Sequence, residues 1–234
     1  MAIAAGAAVL AIIAATPSAS AAAGTREGDV TIVDIQGSYG PLLRGGSATP
    51  FSLRLPADAT CPGDSMHDQW RGQTFIVPSS VDTTTLTYAL DKPKGDGNYA
   101  LYADTTRPLM QVMLRANETA GKPGSFDAFP PMSFAVFTPG LLKDGTYKVG
   151  VACTYFRETA KVWDTEIVIT SSPADKPAGF VWRLASVPAG STDGGSSFPW
   201  IPVAIGVLIL IVVFVIALRL LPTRSPRTLA KESQ

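Results

Sequence analysis

The sequence predicts an all-β fold: an antiparallel β-sandwich held between an N-terminal signal peptide and a C-terminal transmembrane helix. Three observations predict it. Apolar and polar residues alternate with period two through the middle of the chain, broken by Pro, Gly and Asp. No stretch there carries a convincing amphipathic helix, so the helices that would cover a parallel α/β sheet are missing. Both ends hold apolar runs of the kind that address a chain to a membrane.

The first element is "MAIAAGAAVLAIIAATPSASAAAG". An apolar run through Ala15 gives way to Pro17 and then to small residues. This reads as a signal peptide over residues 1–23, cleaved near Ala22 or Ala23. No Lys or Arg precedes the run. An uncleaved anchor is the alternative, against which the run is short and alanine-rich for a span.

Residues 24–187 form the exported part, about 165 residues and enough for one domain with its own core. Strand patterns follow in order: "VTIVDI", "PFSLRLP", "QTFIVP", "TTTLTYAL", "MSFAVF", "TYKVGVAC", "KVWDTEIVIT" and "GFVWRLA". In "KVWDTEIVIT", Trp163, Thr165, Ile167 and Ile169 share a face, with Asp164 and Glu166 opposite. Such alternation predicts antiparallel strands with one face toward water.

"PAGSTDGGSS", residues 188–197, is a Gly/Ser linker that reaches on the order of 18 Å as a flexible coil. Residues 198–221 then carry no charge from Phe198 until Arg219. Twenty-one helical residues rise about 31 Å, the thickness of a bilayer core. Trp200 stands where an interfacial aromatic belongs. Arg219, Arg224, Arg227 and Lys231 follow the span, which places the basic tail, residues 222–234, in the cytoplasm and the domain outside. "LPTRS" lacks the final glycine of a sortase signal and follows the span instead of preceding it. The expectation is a single-pass protein of the cell membrane.

Nineteen basic and nineteen acidic residues leave no formal net charge, and no basic stripe is interleaved with aromatics. Nucleic acid is therefore not an expected partner. The two cysteines, Cys61 and Cys153, lie in the exported part, where an oxidising compartment favours pairing over two buried thiols.

"LKDGTYKVGVAC", residues 142–153, puts Tyr147, Val149, Val151 and Cys153 on one strand face. It resembles strand F of immunoglobulin-like domains, although its tyrosine stands six residues before the cysteine instead of two. The blocks "CPGDSMHDQWRGQTFIVPSSVD", "LYADTTRPLM", "FAVFTPGLLKDGTYKVGVACT" and "VWDTEIVIT" resemble a family of exported, membrane-anchored actinobacterial proteins. That resemblance spans most of residues 58–170. It implies an Ig-like extracellular domain and supplies no activity.

The loop "CPGDSMHDQW" invites a hydrolase reading, with Ser65 as nucleophile and His67 as base. Its context fails: "GDS" is followed by neither the Gly-Gly-Pro of trypsin-like enzymes nor a distant histidine of the GDSL type. His67 is the only histidine in the chain. The plainer expectation is a disulfide-pinned turn whose polar residues face water. Met66, His67, Met110, Met113 and Met132 are soft or borderline ligands, which keeps a copper-binding envelope protein as an alternative. Neither a metal site nor a cofactor is the expectation, and an enzyme is not.

Residues 91–131 are poorly patterned over about forty positions, and loops that long on a compact domain are usually functional or disordered. Tyr99, Tyr102, Arg107, Arg115, Phe126 and Phe129 are residue types that anchor interfaces, or they cap the sandwich. With Asp64, His67 and Trp70 they make the candidate contact surface. The expected role is interaction: binding an envelope partner, or serving as accessory subunit of a membrane complex.

Overall fold

The computed structural model describes residues 23–189 apart from 91, 104–107 and 109–113. The expected signal peptide, span and tail, most of the expected linker, and Arg107, Met110 and Met113 therefore lie outside the described residues. What is described is mainly β, with no α-helix among those residues.

The longest elements are β8 (Gly145–Tyr155) and β9 (Glu158–Ser171), which form one antiparallel hairpin. Strand β6 (Arg71–Pro78) pairs antiparallel with the outer edge of β8. On the other side, β10 (Phe180–Leu184) pairs antiparallel with β9, and β3 (Arg44–Gly46) pairs with β10. The sheet order is β3-β10-β9-β8-β6. The short β1 (Thr25–Gly28) lies against the first part of β9, the one parallel pairing among the described strands.

A second sheet joins β2 (Thr31–Asp34) to β4 (Phe51–Arg54), and a third joins β5 (Thr60–Cys61) to β7 (Gly124–Ser125). Strand β4 faces the large sheet: the Phe51 ring sits 6.0 Å from Trp182 of β10 and 4.9 Å from Phe134. Ile32, Leu53, Val149, Val151, Ile167 and Ile169 fill the same core. Apolar burial of this kind is the main favourable term in folding. Cys61 and Cys153 are fully buried and joined by a disulfide, with Cα atoms 5.5 Å apart.

The four patterns "VTIVDI", "PFSLRLP", "QTFIVP" and "GFVWRLA" hold strands, and so do both arms of the long hairpin. Two expected strands are not strands. In "TTTLTYAL" the chain forms a 3₁₀ turn at Thr83–Thr85, because the Asp82 side chain accepts the Thr84 amide at 3.0 Å and starts a turn. In "MSFAVF" only Met132 pairs, with Phe51; a turn then closes from Phe137 N–H to the Phe134 carbonyl at 3.2 Å and sends both rings into the core.

The expected wet face of the large sheet also needs correction. Phe75, Val77, Ala152 and Val162 point away from the main core, and Leu86 and Tyr88 cover them as a second buried cluster. Beneath that cover Asp164 is buried. Its carboxylate accepts Arg26 Nε at 2.7 Å and the Thr83 hydroxyl at 2.6 Å, tying β1 and the 3₁₀ turn to β9. Burying an acid requires such partners. Glu166, two residues on, is exposed as expected.

Candidate functional site: a carboxylate clasp and an apolar groove

Strand β5 delivers Cys61 to the disulfide, and the chain then turns through Pro62 and Gly63. Asp64 follows, fully buried. Its carboxylate accepts the His67 amide at 2.6 Å, the His67 ring nitrogen Nδ1 at 2.9 Å and the Asn117 amide at 2.7 Å. The hydrogen bond with the His67 side chain, then that from the Asn117 amide, holds the Asp64 carboxyl far below the usual carboxylate range, against the opposing effect of burial. Asp68 extends the same device, accepting the Gly121 amide at 3.0 Å.

Ser65 is buried as well. Its hydroxyl donates to the Trp70 carbonyl at 2.8 Å and accepts the Leu114 amide at 2.7 Å. Arg71 Nη1 closes the loop from below, donating to the carbonyls of Ser65 (2.7 Å) and Trp70 (2.8 Å). Loop 61–70 and segment 114–121 are thus one clasp, stitched from side chain to backbone.

Two glycines make this approach possible. A Cβ on Gly124 would stand 2.8 Å from the Asp64 Cα, and one on Gly63 would stand 2.5 Å from the Asp68 Cβ.

The expectation that the loop's polar residues face water fails for Asp64 and Ser65, because backbone amides of a distant segment need acceptors. A carboxylate and a hydroxyl supply them. Asp64 can therefore meet a partner only through the loop that it organises. The Asp64–His67 half of a triad is formed. Ser65, however, directs its proton at the Trp70 carbonyl and not at His67. Met132 is a core residue and Met66 is exposed, so these two thioethers do not converge. Among the described residues no group of three or more His, Cys, Asp or Glu side chains is placed to hold a metal ion.

The other candidate residues fall into separate groups. Trp70 stacks on Tyr155 with ring centroids 5.2 Å apart. Tyr99 and Tyr102 both meet Phe137 edge-on, at 5.6 and 6.1 Å, and the Tyr99 backbone pairs with Ile76 of β6. Phe126 stacks on Phe129 at 6.0 Å and meets Trp163 edge-on at 5.7 Å. Arg115 is exposed and pairs with Asp127 at 2.9 Å. Arg107 lies outside the described residues.

Phe126 and Phe129 also line a groove of about 610 Å³ beside the small β2–β4 sheet. Val33, Leu53, Leu55 and Pro56 give it an apolar floor, with Arg54 and Asp127 among the polar groups around it. That volume lies within the range of small-ligand and side-chain pockets. Sequence reasoning found the two phenylalanines but missed Val33, Leu53 and Leu55, which strand pattern alone assigns to the core. The clasp was also missed in part. "CPGD" signals a turn, but the Asn117 amide that Asp64 accepts and the Gly121 amide that Asp68 accepts each come from a position 53 residues away.

Comparison with protein-family models, with curated proteins and with solved structures finds no match, so the functional reading rests on this geometry.

Proposed function

We propose that this chain is a single-pass protein of the cell membrane that presents an Ig-like β-sandwich outside the cell and works by binding a partner in the envelope. The observation that carries the reading is the groove. An apolar trough of about 610 Å³, open to solvent and flanked by Arg54 and the Arg115–Asp127 pair, suits an apolar side chain or short extended segment of another protein. The clasp and the disulfide support it by fixing the β5–β7 unit, and with it Ser125 and Phe126, before any partner arrives. Pre-organised surfaces lose less entropy on binding.

The Ig-like reading draws on two features. The small sheet faces the large one through Phe51 and Trp182. The Tyr147 hydroxyl also donates to the Lys143 carbonyl at 3.1 Å and accepts the Lys143 amide at 3.0 Å. A tyrosine tied to upstream backbone beside the buried cysteine strand is the arrangement expected of strand F. The export signal, the span and the resemblance to membrane-anchored actinobacterial proteins complete the reading.

The test is photo-crosslinking in intact source cells from a probe at Ala128, in the groove, with a probe at Leu141 and a span-only chain as controls. A discrete protein adduct at Ala128, lost when Leu55→Arg fills the groove, supports the proposal. Equal labelling from all three chains rejects it.

A further inference from the structure

At the tip of the β8–β9 hairpin, Tyr155 pairs with Glu158 and the chain reverses through Phe156 and Arg157 alone. Both residues are left-handed, with φ of 46° and 73°. A two-residue turn of this hand matches the twist of the strands and favours Asn-Gly, because a Cβ is strained there. This chain instead places an aromatic ring and a long cation in it. Phe156 is also 73% exposed, so it gains no burial in return. A residue poor for its backbone and poor for water points to a role outside the fold.

The tip does not stand alone. Tyr155 is 43% exposed, stacks on Trp70 and meets the Phe156 ring at 4.4 Å. Met66, 73% exposed, rides on the loop that ends in Trp70. Leu90, 75% exposed, lies two residues beyond Tyr88, whose amide donates to the Arg157 carbonyl at 2.9 Å. Most of the large apolar side chains that the described residues leave exposed thus belong to segments gathered at this tip.

The path of the chain says what covers it. Strand β10 runs from Phe180, opposite Ser171, to Leu184, opposite Ile167, so it leaves the sheet heading toward the hairpin tip. Strand β1 begins at Thr25 beside Lys161, at the same end. From Ile167 to Glu158 the strand spans roughly 30 Å. The Ala185 amide still bonds the Glu166 carbonyl and the Val187 amide turns back on Leu184. The ten residues from there to Phe198 reach about 18 Å as coil and about 35 Å extended, which brackets that distance. A chain anchored at Phe198 can therefore set this tip at the bilayer surface.

We propose that the hairpin tip, Tyr155, Phe156 and Arg157 with Met66 and Trp70 beside it, is a membrane-contact finger that seats in the headgroup layer of the bilayer holding the chain's own anchor. Aromatic rings suit that layer because one part of it is apolar and the other wet, while an arginine reaches the phosphates from a shallow position. The inference rests on the reading of residues 198–221 as a span and goes beyond partner binding, whose groove uses other residues.

The experiment uses the full chain in vesicles of phosphatidylcholine and phosphatidylglycerol in equal parts. An alkaline wash comes first. A chain stripped by it lacks the anchor, and both readings fall. A retained chain carries a benzophenone amino acid at Phe156 or, as control, at Tyr39, and lipid adducts are read by mass spectrometry. Lipid labelling at Phe156 at least about threefold above Tyr39 is expected for a ring in the interface. Labelling equal to the control, or adducts only with protein such as a second copy, overturns the finger and leaves the anchor standing. A second variant, Phe156→Asn, has a side chain that suits the turn, so its melting temperature should hold or rise. Lipid labelling from a probe at Met66 should nevertheless fall about threefold in that variant. Unchanged labelling from Met66 also overturns the inference.

Discussion

Asp164 is the perturbation most directly tied to the architecture, because one buried carboxylate fastens the cover of the second core. The change is Asp164→Ala. It strands the Thr83 hydroxyl, which donates at 2.6 Å in a buried setting, and unpairs Arg26 Nε at 2.7 Å. A hydrogen bond to a buried charged group contributes about 1.5–3 kcal/mol. The Arg26 side chain is 46% exposed, so solvent screening limits its share to about 0.5–1 kcal/mol. The expected loss is thus about 2–4 kcal/mol. For a domain of this size that lowers the melting temperature by roughly 4–16 °C.

The assay is thermal unfolding of the full chain in mild detergent, followed by near-ultraviolet circular dichroism. It includes Thr83→Val and the double variant. Because the two residues meet directly, their effects should couple by about 1 kcal/mol. A loss below about 1 kcal/mol, or strict additivity, would refute the claim that this contact holds the cover.

Two further outcomes follow from the clasp. The Asp64 carboxyl titrates lower in the folded chain than in the unfolded one, so the stability it confers is complete above the ordinary aspartate value. That stability disappears as pH falls through this value toward the folded one. Melting temperatures measured from neutral pH down to about pH 2 should therefore fall more steeply for the native chain than for Asp64→Asn, and parallel curves would contradict this. The disulfide closes a sequence separation of 92 residues, so the paired change Cys61→Ala with Cys153→Ala should cost up to about 4–5 kcal/mol. A loss under about 1 kcal/mol in urea unfolding would rule out that chain-entropy account.

Strands whose side chains carry a pattern were legible in the sequence. In "TYKVGVAC" and "KVWDTEIVIT" alternation marks the core face correctly, since Val149, Val151, Ile167 and Ile169 are all buried in the main core. The opposite face was misread, though a sign of it was present. "FIV", residues 75–77, is a continuous apolar run, the mark of a strand buried on both faces. Phe75 and Val77 indeed enter the second cluster while Ile76 enters the first.

Strands such as Thr60–Cys61 and Gly124–Ser125 have no pattern to read, because they exist only through pairing with each other across 63 positions. At the site, Phe126 and Phe129 were legible as interface residue types. The burial of Asp64 was not. Its cause is three amide groups and an imidazole brought together by the fold, and a sequence window around "CPGDS" contains only some of them.

The clasp also has a history within the life of each molecule. A chain made from its N-terminus exposes Asp64 long before Asn117 and Cys61 long before Cys153. Until those later positions emerge, the loop has neither its acceptor's partners nor its covalent tie. Contacts so distant in sequence form slowly. The surface around the groove is therefore among the last parts of the protein to be finished. A half-made chain carries the phenylalanines of that surface without the scaffold that aims them, and the groove takes its shape only when synthesis has passed β8.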